Sequence, residues 1–243
     1  MKLPIQRAVS RRQATLPLAA AALALAASVP AGLAGAPAAQ ADAATPAIVD
    51  STRHDGKYIS LTFDDGPDPV TTPRLLAVLE KHHVKATFCL WGDHVKQHPE
   101  IVRQIAAAGH LLCNHTMHHD NMGTWSANAI RADLLETSAV IREAVPDAKI
   151  DYFRAPYGSW GQTPQVAAEL GLQPLGWQLT VSDWEPPGTP ELVRRIREGI
   201  TPGGVVLLHD GGGDRTQTVE AVDQVIPELK SEGWKFDRPA RRG

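Results

Sequence analysis

Cysteine is scarce in this chain. Cys89 and Cys113 are the only two, too few for a disulfide scaffold or a four-cysteine zinc site. Aromatic residues make up only 5%, yet six of the thirteen are Trp. Neither sign of charge dominates: 24 Lys and Arg stand against 27 Asp and Glu, a formal net of −3. Such a balance argues against a nucleic-acid binder held by phosphate contacts. No internal repeat, low-complexity linker or long apolar run follows the first ~30 residues. What remains is ordinary globular material, 43% apolar and 21% charged, with 20 Gly and 19 Pro. Disorder throughout, a collagen repeat and a coiled coil are thereby excluded. The 243 residues suit one large domain or two small ones.

The N-terminus reads as an address. Lys2, Arg7, Arg11 and Arg12 precede an apolar stretch from Leu16 to Val29, and A-x-A sites end at Ala41 and Ala43. This is the layout of a secretory signal peptide over residues 1–41, cleaved after Ala41 or Ala43. The apolar stretch falls short of the ~20 residues of a membrane span. Ser10-Arg11-Arg12 hints at twin-arginine export, although Ala14 stands where a large apolar residue is usual. Residues 42–56 then read as a linker, 57–237 as the folded domain, and 238–243 as a basic, fraying tail. Cleavage after Ala41 removes four basic and no acidic side chains, leaving a net of −7. An acidic surface has no electrostatic pull toward anionic polymers. The expected protein is exported and monomeric, with no stable membrane insertion after cleavage and no nucleic-acid partner.

Strand and helix signals alternate along the domain. Lys57 to Phe63 reads as a strand broken by Asp64-Asp65-Gly66-Pro67, and Thr72-Pro73 opens a helix. Strands at Ala86–Leu90, Leu111–Asn114 and Tyr152–Arg154, two short ones between Leu172 and Ser182, and Gly204–His209 alternate with helices. Those helices lie at Pro99–Ala108, Ser126–Val145, Thr163–Leu170, Glu191–Gly199 and Thr216–Glu232. Alternation implies a parallel sheet covered by helices, as a barrel or a doubly wound sheet. Chemistry-bearing residues fall at strand C-terminal ends: Asp64-Asp65, Asn114-His115, Arg154, Asp183 and His209-Asp210. Five such ends favour a closed barrel mouth.

Asp64 and Asp65 are adjacent on an extended chain, so their side chains diverge. One could hold a metal while the other works on substrate; turn chemistry alone would also explain them. His115 and His119 are spaced i, i+4, which one helical turn would bring to the same side, with His118 confusing the register. Two His and one carboxylate would leave open positions for water on a metal. The pair His94 and His98 shares that spacing but brackets Lys96 and Gln97, so it and His82-His83 read as solvated faces. His209 follows a buried apolar strand, where a hydrogen-bonded core His is the plain alternative.

In combination these pieces are specific. Thr62-Phe-Asp-Asp-Gly66, His115-Thr-x-x-His119, Arg154-Ala-Pro-Tyr157, Asp183-Trp184 and Leu207-Leu-His209 occur in this order. They resemble the motifs of polysaccharide deacetylases with a NodB-homology domain, carbohydrate esterase family 4, over roughly Tyr58 to Trp234. The resemblance implies an α/β single domain, a distorted (β/α)7 barrel, and one divalent metal ion, zinc by preference, with Co2+ or another divalent ion as alternatives. It implies Asp65, His115 and His119 as ligands, Asp64 as general base and His209 as general acid. Arg154 would orient Asp64, and Asp183 would pair with His209. Tyr157 would offer its backbone N–H to the oxyanion, and Trp184 and Leu207 would wall a pocket for the acetyl methyl. Thr180, Asp120 and Cys113 depart from the common pattern without touching a ligand position.

The expected activity is removal of N-acetyl groups from N-acetylglucosamine polymers, chitin-like or peptidoglycan. The alternative is O-acetyl removal from xylan by the same site. A non-catalytic sugar-binding protein on the same fold is disfavoured, because every catalytic position holds a competent residue. A zinc protease is disfavoured because Thr116, not Glu, follows His115. Trp125 and Trp160 could be sugar platforms or core residues. Cys89 and Cys113 could form a disulfide or remain buried thiols.

Overall fold

The computed structural model describes residues 46–241. The signal-peptide reading lies outside the described residues, as do positions 242 and 243. Seven parallel strands are β1 (Tyr58–Asp64), β2 (Thr87–Leu90), β3 (Leu111–Asn114), β4 (Ile150–Phe153), β5 (Gln173–Pro174), β6 (Leu179–Thr180) and β7 (Gly204–His209). The helices are α1 (Thr71–Lys81), α2 (Gly92–Gln97), α3 (Pro99–Ala107), α4 (Ala127–Ala144), α5 (Thr163–Glu169), α6 (Thr189–Gly199) and α7 (Thr216–Ser231). The strands form one sheet in the order β5-β4-β3-β2-β1-β7-β6, and a short β8 (Lys235–Phe236) pairs with the start of β1. This curled, helix-covered parallel sheet is the expected (β/α)7 architecture in one domain, but its edge strands β5 and β6 do not pair with each other, so strand pairing does not close the mouth that the strand-end pattern favours.

Alternation along the strands divides the interior in two. In β1, Ile59, Leu61 and Phe63 point into the main core beneath the helices, with Phe88 and Leu90 of β2 and Val206 and Leu208 of β7. The intervening Ser60, Thr62 and Asp64 are buried too, on the concave side. There Cys89, Cys113, Tyr152, Leu175 and Val205 make a second, smaller cluster. Each helix supplies a matching stripe. In α1, Leu75, Leu76 and Leu79 are buried, each burial contributing roughly 1.5–3 kcal/mol. Ser126 caps α4 by accepting from the Ala129 N–H, and Pro99 opens α3, where its missing N–H costs nothing.

Cys89 and Cys113 face each other across β2 and β3 and are joined as a disulfide. Two sequence expectations change. Residues 42–56 are not a free linker through their last part: Val49 is buried, bridges Leu175, and Ser51 and Thr52 bridge Gly204 and Pro239. The basic end does not fray before Arg241. The Tyr152 hydroxyl donates to the Pro239 carbonyl, and the Ala240 N–H donates to Ser51. Among the described residues no helix is long and apolar enough to cross a membrane.

His110 enters β3 buried against Phe88, with its Nδ1 accepting from the Ala86 N–H at 3.1 Å. Burial, with Lys85 nearby, pushes its pKa down to about 4. The unfolded chain therefore takes up this proton near pH 6.5, before the folded one does, and stability is lost as pH falls from there toward 4. The expected cost is about 3 kcal/mol. Urea unfolding of the wild type and His110→Gln at neutral and acidic pH should show the variant losing less stability by about that amount.

Candidate active site

Strand register brings the site together. Asp64 and His209 are direct neighbours across β1 and β7, and Asn114 at the end of β3 pairs with Leu90 and Phe153 on either side. Residues far apart in sequence thus finish at one height along the sheet. They ring a cavity of about 500 Å3 whose lining includes Asp64, Asp65, His115, His119, Tyr157 and His209. Trp184 and Leu207 line the same cavity, so all ten expected site residues assemble at or directly beneath it.

Asp65, His115 and His119 offer three ligand atoms within 4.8 Å of one another. His115 Nε2 and His119 Nε2 lie 3.3 and 3.2 Å from Asp65 Oδ1. These separations are about the ~3.3 Å edge of a tetrahedron with arms of ~2.0 Å, the Zn–N and Zn–O distance. Each His turns its other nitrogen away: His115 Nδ1 to the Arg154 carbonyl at 2.9 Å, His119 Nδ1 to the Tyr157 hydroxyl at 3.2 Å. This is how outer partners orient ligating imidazoles. Asp65 Oδ1 is buried without a hydrogen-bond partner, an orphan that a cation would satisfy. The donor set therefore fits a divalent metal. Burial raises the Asp65 pKa, but the close approach of the His115 and His119 rings, with His209 nearby, outweighs it and holds the carboxyl well below the usual range.

The two histidines do not meet on a helical turn. Residues 115–119 form a loop, and Thr116 and His119 take left-handed backbone angles of φ 67° and 56°. The loop is held from outside. Asn114 Oδ1 accepts from the Thr116 N–H, Asp133 accepts from the Met117 N–H, and Asn114 Nδ2 donates to α4 at Leu134 and Ser138. Asp133 was not singled out in the sequence. A carboxylate on the apolar face of an amphipathic helix was its available signal. His118 points away to Asp93.

Arg154 is fully buried and spans the concave interior. Its Nη1 donates to Asp64 Oδ1 at 2.7 Å and to Thr62 at 2.8 Å, while Nε and Nη2 donate to the carbonyls of Leu175 and Gly176. The guanidinium lies over the Trp177 ring, its carbon 5.6 Å from the ring centroid and within cation–π range. Opposite, Asp183 accepts from the ring and the backbone N–H of His209 at 2.7 and 2.9 Å, and from Thr218 at 2.8 Å. Burial lowers the His209 pKa, but the Asp183 hydrogen bond and charge outweigh it, so the ring holds its proton above the ordinary range. Trp184 meets His209 edge-on.

Several contributors escape a reading of the sequence. His94, expected to be solvated, has Nδ1 2.7 Å from the Asp65 carbonyl, and its ring stacks on Trp91, which stacks on His119. His82 is likewise engaged, by Asp223. Gly212 has φ 71°, and a Cβ there would sit 2.7 Å from Asp65 Oδ2, so only glycine lets this loop close under the ligand. Arg215 pins that loop through the Gly211 and Gly212 carbonyls. Buried Asp210 accepts from Thr72 beneath Gly66; burial pushes its pKa up to about 7. Trp125 and Trp160 pack against the main core, Trp160 edge-on to Phe153, and do not line the cavity.

Comparison with known proteins agrees with this geometry. Residues 51–175 match the family model described as polysaccharide deacetylase. A chitooligosaccharide deacetylase of Rhizobium leguminosarum bv. trifolii is 39% identical over 199 residues, covering 77% of this chain and 92% of its own. The solved structure of a peptidoglycan N-acetylglucosamine deacetylase superposes with a TM-score of 0.74 at 32% identity, covering 79% of this chain and 90% of that one. A pseudoenzyme of the CE4 family from Bacillus anthracis superposes with a TM-score of 0.73 at 32% identity, covering 79% and 66%. The chain belongs to the polysaccharide deacetylase family, the NodB-homology deacetylases of carbohydrate esterase family 4, and is a hydrolase of that family.

Proposed function

We propose that this protein hydrolyses the N-acetyl groups of N-acetylglucosamine polymers, chitin-like or peptidoglycan, releasing acetate and leaving free amines. One observation carries the reading: two charge-paired catalytic groups, Asp64 with Arg154 and His209 with Asp183, flank a three-ligand metal set in one cavity. The names of the relatives support the same substrates. Zinc suits two imidazoles and one carboxylate with an open position. The signal-peptide layout of residues 1–41 supports export.

A divalent ion held by Asp65, His115 and His119 would lower the pKa of bound water and polarise the acetyl oxygen. Arg154 occupies Asp64 Oδ1, leaving Oδ2 toward the cavity, 3.8 Å from His115 Nε2. From there Asp64 takes the proton of the attacking water. The Tyr157 backbone N–H is assigned to the oxyanion, a kind of contact worth ~3–4 kcal/mol in other hydrolases. His209, held at Nδ1 by Asp183, presents Nε2 and protonates the departing amine, which leaves poorly otherwise. Trp184 and Leu207 wall the acetyl methyl.

The test is acetate release from N-acetylglucosamine oligomers. Chelation should abolish it, added zinc should restore it, and Asp64→Asn should lower kcat by at least ~100-fold. Release from acetylated xylan alone would instead establish the O-esterase. Since His209 must be protonated to act, activity falls as pH rises through its raised pKa. In Asp183→Asn that alkaline limb should move to lower pH, seen in the pH profile of kcat/KM.

A further inference from the structure

At the opposite end of the sheet from the catalytic cavity lies a second and larger groove, of about 750 Å3. It opens where β4 begins at Ile150 and where the chain approaches β5 at Gly171 and Leu172, against the docked C-terminal residues. Five cationic side chains line it, Arg53, Arg142, Lys149, Arg238 and Arg241, against one carboxylate, Asp151. This contrasts with a sequence in which acidic residues outnumber basic ones.

The walls are built. The Tyr152 hydroxyl donates to Pro239, Thr52 bridges Pro239, and the Arg53 N–H donates to Arg238. Arg241 is spent on Asp151 and the Gly171 carbonyl, and Arg53 lies 3.7 Å from Asp237. Arg142, Lys149 and Arg238 have no carboxylate or hydrogen-bond partner for their side chains among the described residues, and all three are exposed. Three unspent cations around one concavity repel one another unless an anion lies between them.

We propose that this groove is a binding site for a flexible, base-free polyanion, a chain carrying phosphodiester or carboxylate groups, which holds the enzyme while the opposite face works. Two of the three unspent cations, Arg142 and Arg238, are Arg, whose planar fork pairs bidentately with such oxyanions. A concave site suits a single extended chain rather than a flat lipid surface. A single-stranded nucleic acid would want stacking platforms. The one aromatic ring in the lining, Tyr152, is buried with its hydroxyl already donated.

The site stands apart from the catalytic reading, so binding is measured separately from turnover. The probes are labelled poly(glycerol phosphate) and polygalacturonate, read by fluorescence anisotropy on the full chain. Affinity for at least one should fall roughly 20-fold between about 50 mM and about 200 mM salt, as three neutralised charges on a flexible chain require. Arg142→Gln/Lys149→Gln/Arg238→Gln should lose about the same factor at low salt and flatten the salt dependence. Its acetate release from a short neutral oligomer should match the wild type, and Arg142→Lys/Arg238→Lys, which keeps the charges but loses the forks, should bind between the wild type and the triple variant. If the triple variant does not fold, Arg142→Gln/Lys149→Gln reports the same loss in smaller measure. The proposal is overturned if the wild type binds neither polymer or if the glutamine variants bind as well as the wild type. Tighter binding of oligo(dT) than of either polymer, or full competition by inorganic phosphate at equal charge, would overturn it too.

Discussion

The site hangs on one buried ion pair. Arg154 and Asp64 are almost wholly out of water, and burying either alone would cost several kcal/mol. The pair is tolerable because the guanidinium is otherwise satisfied by Thr62, Leu175 and Gly176, so no N–H fork is wasted on an apolar wall. That network ties β1 to the segment after β4 and to the run between β5 and β6. The same Arg154 offers its carbonyl to His115 Nδ1. One residue therefore fixes the general-base candidate with its side chain and a ligand candidate with its backbone. Conversion to an apolar residue would strand Asp64, which is why this position carries more than charge.

Backbone strain gathers in the same place. Asp65, Thr116, His119 and Tyr157 all have positive φ without being glycine, each costing ~1–2 kcal/mol relative to ordinary geometry. The surrounding hydrogen bonds offset that cost. His94 fastens the Asp65 carbonyl, Asn114 and Asp133 fasten the loop around Thr116, and Gly212 allows close approach beneath Asp65. The reward is convergence: three ligand atoms aim at one point without a helix to carry them.

A fold alone does not make this chemistry, as the CE4 pseudoenzyme among its structural relatives makes plain. Here the base and acid candidates are adjacent in register at the ends of β1 and β7, each with its own buried counter-charge. Arg154 gives the base candidate its counter-charge, and Asp183 holds the proton on His209, so a base and an acid face one cavity.

Much of this was legible in the chain itself. Period-2 alternation in Ile59-Ser-Leu-Thr-Phe63 and the apolar stripe of α1 follow from side-chain geometry, so strands, helices and the barrel class could be read within a residue or two at most boundaries. The residues of the five motifs carry their chemistry in their own side chains, so their identity was readable too. Contacts across the sheet were not. Sequence spacing put His115 and His119 on a helical turn, whereas left-handed kinks stabilised by Asp133 and Asn114 bring them together. It left His94 as a solvated residue, Trp125 and Trp160 as sugar platforms or core, and residues 238–243 as a basic tail. Asp65, about thirty positions away, decided His94; Ser51, nearly two hundred away, decided the tail; the surrounding core decided the two tryptophans. Local sequence determines which groups a strand end presents; only parallel register and burial decide which of them share a cavity and which are spent on holding it.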